Sequence, residues 1–297
     1  MVRVPGGSVT MGSTAFYPEE RPIRSADVDD LWVATTPVTN DEFAEFVDAT
    51  GHVTTAELPL DPAAFPGADP SLLVPGGVVF VAPDGPVPLN DWTRWWSYVP
   101  GADWRSPRGP DSDIEGLGDH PVVQVGYEDA RAYAEWRGAR LPSEAEWEHA
   151  ARGGLVGAEF CWGDEPYPEG QHLANTWQGD FPWQNLELDG HRWTSPVGSF
   201  PPNGHGLHDM AGNVWEWTTD WWTERHVEPS PCCGGGAGRA DAERASVAPG
   251  EVHGRRVIKG GSHLCAPNYC LRFRPAARQP ESVDTSTSHV GFRIVHD

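Results

Sequence analysis

The sequence predicts a single α+β domain with little regular secondary structure, and three observations carry that reading. Glycine and proline, 34 and 29 among 297 residues, make up about 21% of the chain against roughly 12% in average usage, so the backbone turns often. They are spread without a period. Helical and strand periodicity is confined to a few short stretches. No internal repeat or low-complexity linker divides the chain, which is long enough to bury a sizeable core.

The elements follow in order. In "TNDEFAEFVDATG" Thr39 stands three residues before Glu42, a capping-box spacing, and Phe43, Phe46 and Val47 share one helical face. "YEDARAYAEWRG" predicts a helix that buries Ala130, Tyr133 and Ala134 and stops at Gly138. "PSEAEWEHAARGG" repeats the capping signal with Ser143 and Glu146 and ends at Gly153-Gly154. Strands are expected at "HPVVQV", "RRVIKGG" and "VGFRIV". Two long irregular regions, about 52–119 and 155–206, are of the kind that are functional or tied down by ligands. The Gly/Ala-rich, charged stretch from Cys233 to about Pro249 is expected to be a mobile loop.

Composition narrows the function classes. A formal net charge of −22 argues against nucleic acid as a partner, since phosphate binding needs basic patches, whereas a basic peptide would be attracted. No apolar run approaches the ~20 residues of a membrane helix, and "MVRVPGGSVTMGS" lacks the apolar core of a signal peptide. A cytoplasmic location is the expectation. Fifteen tryptophans exceed what a core needs, so several should line a groove or clamp loops.

Five cysteines cannot form a complete disulfide set. Cys232 and Cys233 are adjacent, and consecutive Cα atoms 3.8 Å apart fall short of the usual disulfide span, so they read as loop thiols. Cys161, beside Trp162, reads as a buried apolar residue. The pair in "GGSHLCAPNYCLRFRPAAR", Cys265 and Cys270, leaves three readings open: a structural disulfide, a metal or redox pair, or unrelated thiols. Residues five apart face opposite sides of a strand, so the thiols converge only if "APN" forms a turn. The spacing is not the C-x2-C of zinc knuckles. Converged thiolates would suit a soft ion such as Cu(I), with the sulfurs within roughly 4–5 Å of each other, about twice a metal–sulfur bond.

The blocks "RLPSEAEWEHAARGG", "NGHGLHDMAGNVWEWTTDWW", "VIKGGSHLC", "YCLRFRPAAR" and the closing "HVGFRIV" resemble the sulfatase-modifying-factor family, and "TPVTNDEFAEFV" and "WWSYVPGADWRSPRGPDSDI" extend the likeness over nearly the whole chain. "GNVWEW" is shared across the superfamily and specifies fold better than chemistry. The Cys265/Cys270 pair narrows the resemblance to the copper-dependent formylglycine-generating enzymes of bacterial type. The resemblance implies one α+β domain of the formylglycine-generating, C-type-lectin-like fold over 1–297. It implies an O2-dependent oxidation of a cysteine, in a C-x-P-x-R sequence of an unfolded or nascent sulfatase, to Cα-formylglycine. Cu(I) held by Cys265 and Cys270, an external reductant, hydrogen removal from the substrate Cβ and hydrolysis of a thioaldehyde belong to the same implication. Ser262 matches an active-site serine, or is a turn serine after Gly260-Gly261. Trp215 matches a pocket-wall aromatic, or is core. Arg274 and Arg278 match arginines of the family tail, with pairing of buried carboxylates as the alternative.

Two oxygen-rich segments match structural calcium sites of the family. One set is Asn175, Thr176, Asp189 and His191; the other is Asp209, Gly212, Val214 and Glu216. Carboxylates and carbonyls are the ligand mix of Ca2+, although the same residues could cap turns and hold loops. The chain departs from the family pattern at Ala266, where histidine is common, and at His289, where asparagine is common. The half-cystines of secretory members correspond here to Ala134 with Ile294 and Ala151 with Pro275, which agrees with a reducing compartment. Two rivals are a non-catalytic peptide- or carbohydrate-binding module of the same fold, and an iron-dependent sulfoxide synthase. The latter class normally carries an H-x3-H-x-E motif in an added domain, and the sequence contains neither.

Overall fold

The computed structural model describes residues 1–226 and 239–297, so Cys232, Cys233 and the first part of the expected mobile loop lie outside the described residues. The chain opens with β1 (Val2–Val4), β2 (Gly7–Met11), β3 (Arg24–Val28), β4 (Leu31–Val33) and α1 (Asn40–Thr50). It continues through β5 (Gly76–Phe80), β6 (Trp96–Pro100), α2 (Tyr127–Trp136), α3 (Glu144–Arg152) and β7 (Trp215–Trp221). It closes with α4 (Arg239–Ser246), β8 (Arg255–Lys259), β9 (Arg278–Ser282), β10 (Val290–Gly291) and β11 (Val295–His296). Four small sheets result: β1-β4-β11, β10-β7-β8-β9, and the hairpins β2-β3 and β5-β6. Chain ends meet in the first of these, where β1 and β11 flank β4.

The three expected helices form where their caps put them. Thr39 and Glu42 close a capping box on α1, Ser143 and Glu146 close one on α3, and left-handed Gly51 and Gly153 end those two helices. Satisfying the orphaned first-turn N–H groups in this way lets helices of about three turns persist. Their buried faces meet the four-stranded sheet in one core. There Phe43 packs against Phe46, Trp104, Tyr133 and Phe292, while Trp147 and Trp217 lie within the same cluster. Ala134, Ala151 and Ile294, at three of the positions matched to half-cystines, are buried members of this core.

Three expectations are corrected. "HPVVQV" is not a strand: Gln124 takes φ 58, and Val122 and Gln124 donate their N–H groups to Val38 and Thr287 instead of to one neighbour. "VGFRIV" is split into β10 and β11 because the two halves pair with different sheets. Residues 239–246 of the expected loop are helical. The region 52–119 contains the β5-β6 hairpin. Side chains anchor the irregular 155–206 region, as where Asn203 donates to the carbonyls of Ala150 and Ala151 at the end of α3.

Candidate active site

Strand β8 delivers the chain to two left-handed glycines, Gly260 (φ 96) and Gly261 (φ 71). A Cβ on Gly261 would stand 2.9 Å from the Arg272 carbonyl oxygen and the Phe273 Cα, so the position is closed to side chains. Beyond it, the Ser262 carbonyl accepts from Cys265 N (2.9 Å) and Ser262 Oγ accepts from Leu264 N (3.2 Å). The Ala266 carbonyl then accepts from Tyr269 N (3.0 Å) and Cys270 N (2.7 Å). This is the turn that "APN" was expected to supply. It folds Cys270 back until the two sulfurs are 3.1 Å apart.

That separation is well above the ~2.05 Å of a disulfide, and the thiols are unlinked. It lies within the roughly 4–5 Å that one bridging metal ion allows, and a hydrogen bond joins the two thiols. Cys265 and Cys270 are 2% and 7% exposed. Burial, together with the hydrogen bond and charge of its neighbour, pushes the Cys265 thiol up. The S–H···S bond from Cys265 lowers Cys270 to about 7 against the cost of burial, with the Arg272 guanidinium adding to the effect. Arg272 Nη1 lies 3.9 Å from Cys270 Sγ, and Ser262 N donates to Cys265 Sγ at 3.5 Å. Two adjacent thiols, one readily ionised, form a donor set that fits a soft monovalent ion.

The turn is roofed by aromatics. Leu264 and Ala266 pack with Phe80, Trp95, Trp177 and Phe181 in a second cluster, and Trp177 N donates to the Cys265 carbonyl (3.0 Å). Tyr269 stacks on Phe181 with ring centroids 4.6 Å apart and meets Trp95 edge-on. Pro267, Asn268 and Tyr269 are exposed, so the sulfurs lie directly beneath a surface turn. Beside the cluster opens a cleft of about 240 Å³ whose walls include Phe80, Trp177, Trp183 and Trp193.

Other residues singled out in the sequence take these places. Trp215 is 2% exposed and sits in the main core, away from the cleft walls. Arg274 pairs with Glu20 and Arg278 pairs bidentately with Glu144 (2.7 and 3.0 Å), the carboxylate-pairing alternative for both. Ala266 lies in the roof cluster. His289 is buried against Trp96, shares a hydrogen bond with Thr287 Oγ1, and is held neutral by burial, lowered to about 3. Cys161 is a buried thiol pushed up to about 12 by desolvation.

For a hard cation, the first oxygen set is open at Asn175 and already occupied by N–H donors at Asp189. Asn175 Oδ1 is buried without a partner, and Asp189 gathers the N–H groups of Thr176 and His191 and the amide of Gln178. In the second set Asp209 is buried and accepts from Gly198 N (2.8 Å), but the Glu216 carboxylate is already gripped by Arg293 (2.6 and 2.7 Å) and Trp147 Nε1. That set fits through Asp209 and carbonyls more than through Glu216. Sequence reasoning expects nearby arginines to favour the charged sulfur but does not single out Arg272, and it misses Tyr17 and Glu19. The only signal was the arginine-rich tail, whose partners lie some 250 positions upstream.

The family described as sulfatase-modifying factor enzyme 1-like domain matches residues 1–297. A formylglycine-generating enzyme of Mycobacterium tuberculosis is 55% identical over 300 residues, covering 100% of this chain and 97% of that protein. An inactive C-alpha-formylglycine-generating enzyme 2 of Mus musculus is 42% identical over 307 residues, covering 99% of this chain and 84% of that protein. Among solved structures, PvdO from Pseudomonas aeruginosa superposes with a TM-score of 0.62 at 24% identity, covering 99% of this chain and 92% of that one, a likeness of fold. The α+β architecture, with few helices and mixed small sheets, is that of the formylglycine-generating, C-type-lectin-like fold. The chain belongs to the sulfatase-modifying factor family.

Proposed function

We propose that the protein is a formylglycine-generating enzyme that oxidises the cysteine of a C-x-P-x-R sequence in an unfolded sulfatase polypeptide, using Cu(I) held by Cys265 and Cys270. The observation that carries the reading is the pair of unlinked sulfurs at 3.1 Å beneath an exposed turn. Family membership alone does not decide the chemistry, since a relative named inactive is 42% identical.

In balanced form, the substrate thiol R–CH2–SH, one O2, two electrons and two protons give the aldehyde R–CHO, hydrogen sulfide and water, so an external reductant supplies two electrons. Bound copper would supply the one-electron chemistry that side chains lack. The chain does the rest. Cys265 and Cys270 present two thiolates, Ser262 N keeps a hydrogen bond on one of them, and Ser262 Oγ fixes the turn. The aromatic cleft beside the turn offers apolar walls to an extended polypeptide, and the roof excludes water from the sulfurs. Trp215 would act from beneath as packing. Ca2+ at Asn175, Thr176, Asp189 and His191, with a second ion near Asp209, Gly212, Val214 and Glu216, would pin irregular loops. A cytoplasmic setting suits the unlinked thiols.

A second reading, a non-catalytic peptide-binding module, draws on the same aromatic cleft and the acidic charge. One experiment separates them. Protein, Cu(I), reductant and a C-x-P-x-R peptide are incubated in air and the peptide is weighed by mass spectrometry. Loss of sulfur with gain of an aldehyde is expected; unchanged peptide that still binds would favour the module.

A further inference from the structure

We propose that Arg272 is the counter-cation of the two-thiolate site, held there by a clamp from the N-terminal segment. The inference rests on the copper reading above and deepens it. Two thiolates around a monovalent ion carry one net negative charge, and a substrate thiolate joining them adds another. This charge would be buried at residues only 2% and 7% exposed, in a chain of net charge −22. Such a site needs a nearby cation, because an uncompensated buried charge is strongly disfavoured.

Arg272 stands in the right place with capacity to spare. Its Nη1 is 3.9 Å from Cys270 Sγ, its Nη2 donates to Glu19 (2.7 Å), and its Nε is buried without a partner. The tail's two fully buried arginines are committed elsewhere, Arg274 to Glu20 and Arg278 to Glu144. The clamp comes from about 250 positions upstream. The Tyr17 ring lies 3.8 Å from the guanidinium, and Tyr17 Oη accepts the N–H of Leu271, the residue between Cys270 and Arg272. The 3₁₀ turn at Pro18–Glu20 that follows places Glu19 on Nη2, where it competes with the sulfur for the guanidinium and is no part of the clamp. A stacked, planar guanidinium is fixed toward the sulfur at little further entropic cost.

The test is anaerobic competition for Cu(I) against a chromogenic chelator, with wild type, Arg272→Gln, Arg272→Lys and Glu19→Gln. Wild type should take up one Cu(I). A full charge at this distance is worth about tenfold or more in affinity even when partly screened, so Arg272→Gln should weaken binding by at least that factor. Arg272→Lys should stay within a few-fold of wild type. Glu19→Gln removes the rival for the cation while Tyr17 still stacks on it, so its affinity should equal or exceed that of wild type. A purely structural role predicts that Glu19→Gln weakens binding as Arg272→Gln does, and that result overturns the proposal, as does Arg272→Lys matching Arg272→Gln. Unchanged affinity in Arg272→Gln overturns it too. If wild type itself takes up no Cu(I), the copper reading falls, and the inference with it.

Discussion

Lys259 is the last residue of β8 before the glycines that set the cysteine turn, and it is fully buried between two glutamates of α3. Its Nζ is 3.0 Å from Glu148 and 3.6 Å from Glu144. Each carboxylate also has an arginine partner: Glu148 takes Arg152 (2.7 Å) and Glu144 takes Arg278 (2.7 Å). Burial alone would push both carboxyls up, but Arg278 and Lys259 hold Glu144, and Lys259 and Arg152 hold Glu148, below the usual range. Lys259→Met keeps the volume and removes the charge. Breaking a buried pair by taking one partner costs about 3–5 kcal/mol. For a chain of this length that is a fall in Tm of about 5–8 °C at pH 7.5. The sign with pH follows from the depressed carboxyls. Their contribution is complete above the unfolded pKa of about 4.3 and lost as pH falls from there through the depressed folded pKa, so the gap between wild type and variant should hold from about pH 8 to about 5 and close only below about 4. Thermal unfolding of both proteins across about pH 3–8 measures this. A gap under about 1 kcal/mol at pH 7.5, or one that widens in acid, refutes the reasoning.

Three further outcomes are expected. Gly261→Ala should cost clearly more than Gly51→Ala in denaturant titrations. Both glycines are left-handed, a strain of about 1–2 kcal/mol for alanine, but only Gly261 also meets backbone at 2.9 Å. In metal-free protein, the Cys265/Cys270 pair should be alkylated at lower pH than Cys161, whose thiol is pushed up by burial and stays unmodified at pH 8 until unfolding, as peptide mapping would show. Ca2+ at a hundred times its dissociation constant should raise the Tm of chelator-treated protein by about 4 °C. That figure is for one site, and the share of the first site should vanish in Asp189→Asn while the share of the second remains.

The parts of this molecule legible in its sequence are those governed by neighbours in the chain. Thr39 with Glu42 and Ser143 with Glu146 announce their helices because a capping box spans three residues. The turn across Ala266, Pro267 and Asn268 is equally local, which is why convergence of Cys265 with Cys270 could be anticipated. Where distant contacts decide, the pattern misleads. Val122 and Val123 read as strand, yet Gln124 adopts φ 58 and the segment bonds to two separate parts of the chain. The clamp of Tyr17 on Arg272 has no local signature at all. Nor does the roof, in which residues from four separated segments close over the thiols.

X-ray absorption at the copper edge of protein loaded with one equivalent of Cu(I) would test the central claim most directly. The account predicts a site of two sulfur donors and no nitrogen or oxygen donor, lost in both Cys265→Ser and Cys270→Ser. Copper bound mainly by nitrogen or oxygen, or a spectrum unchanged in either variant, would contradict it.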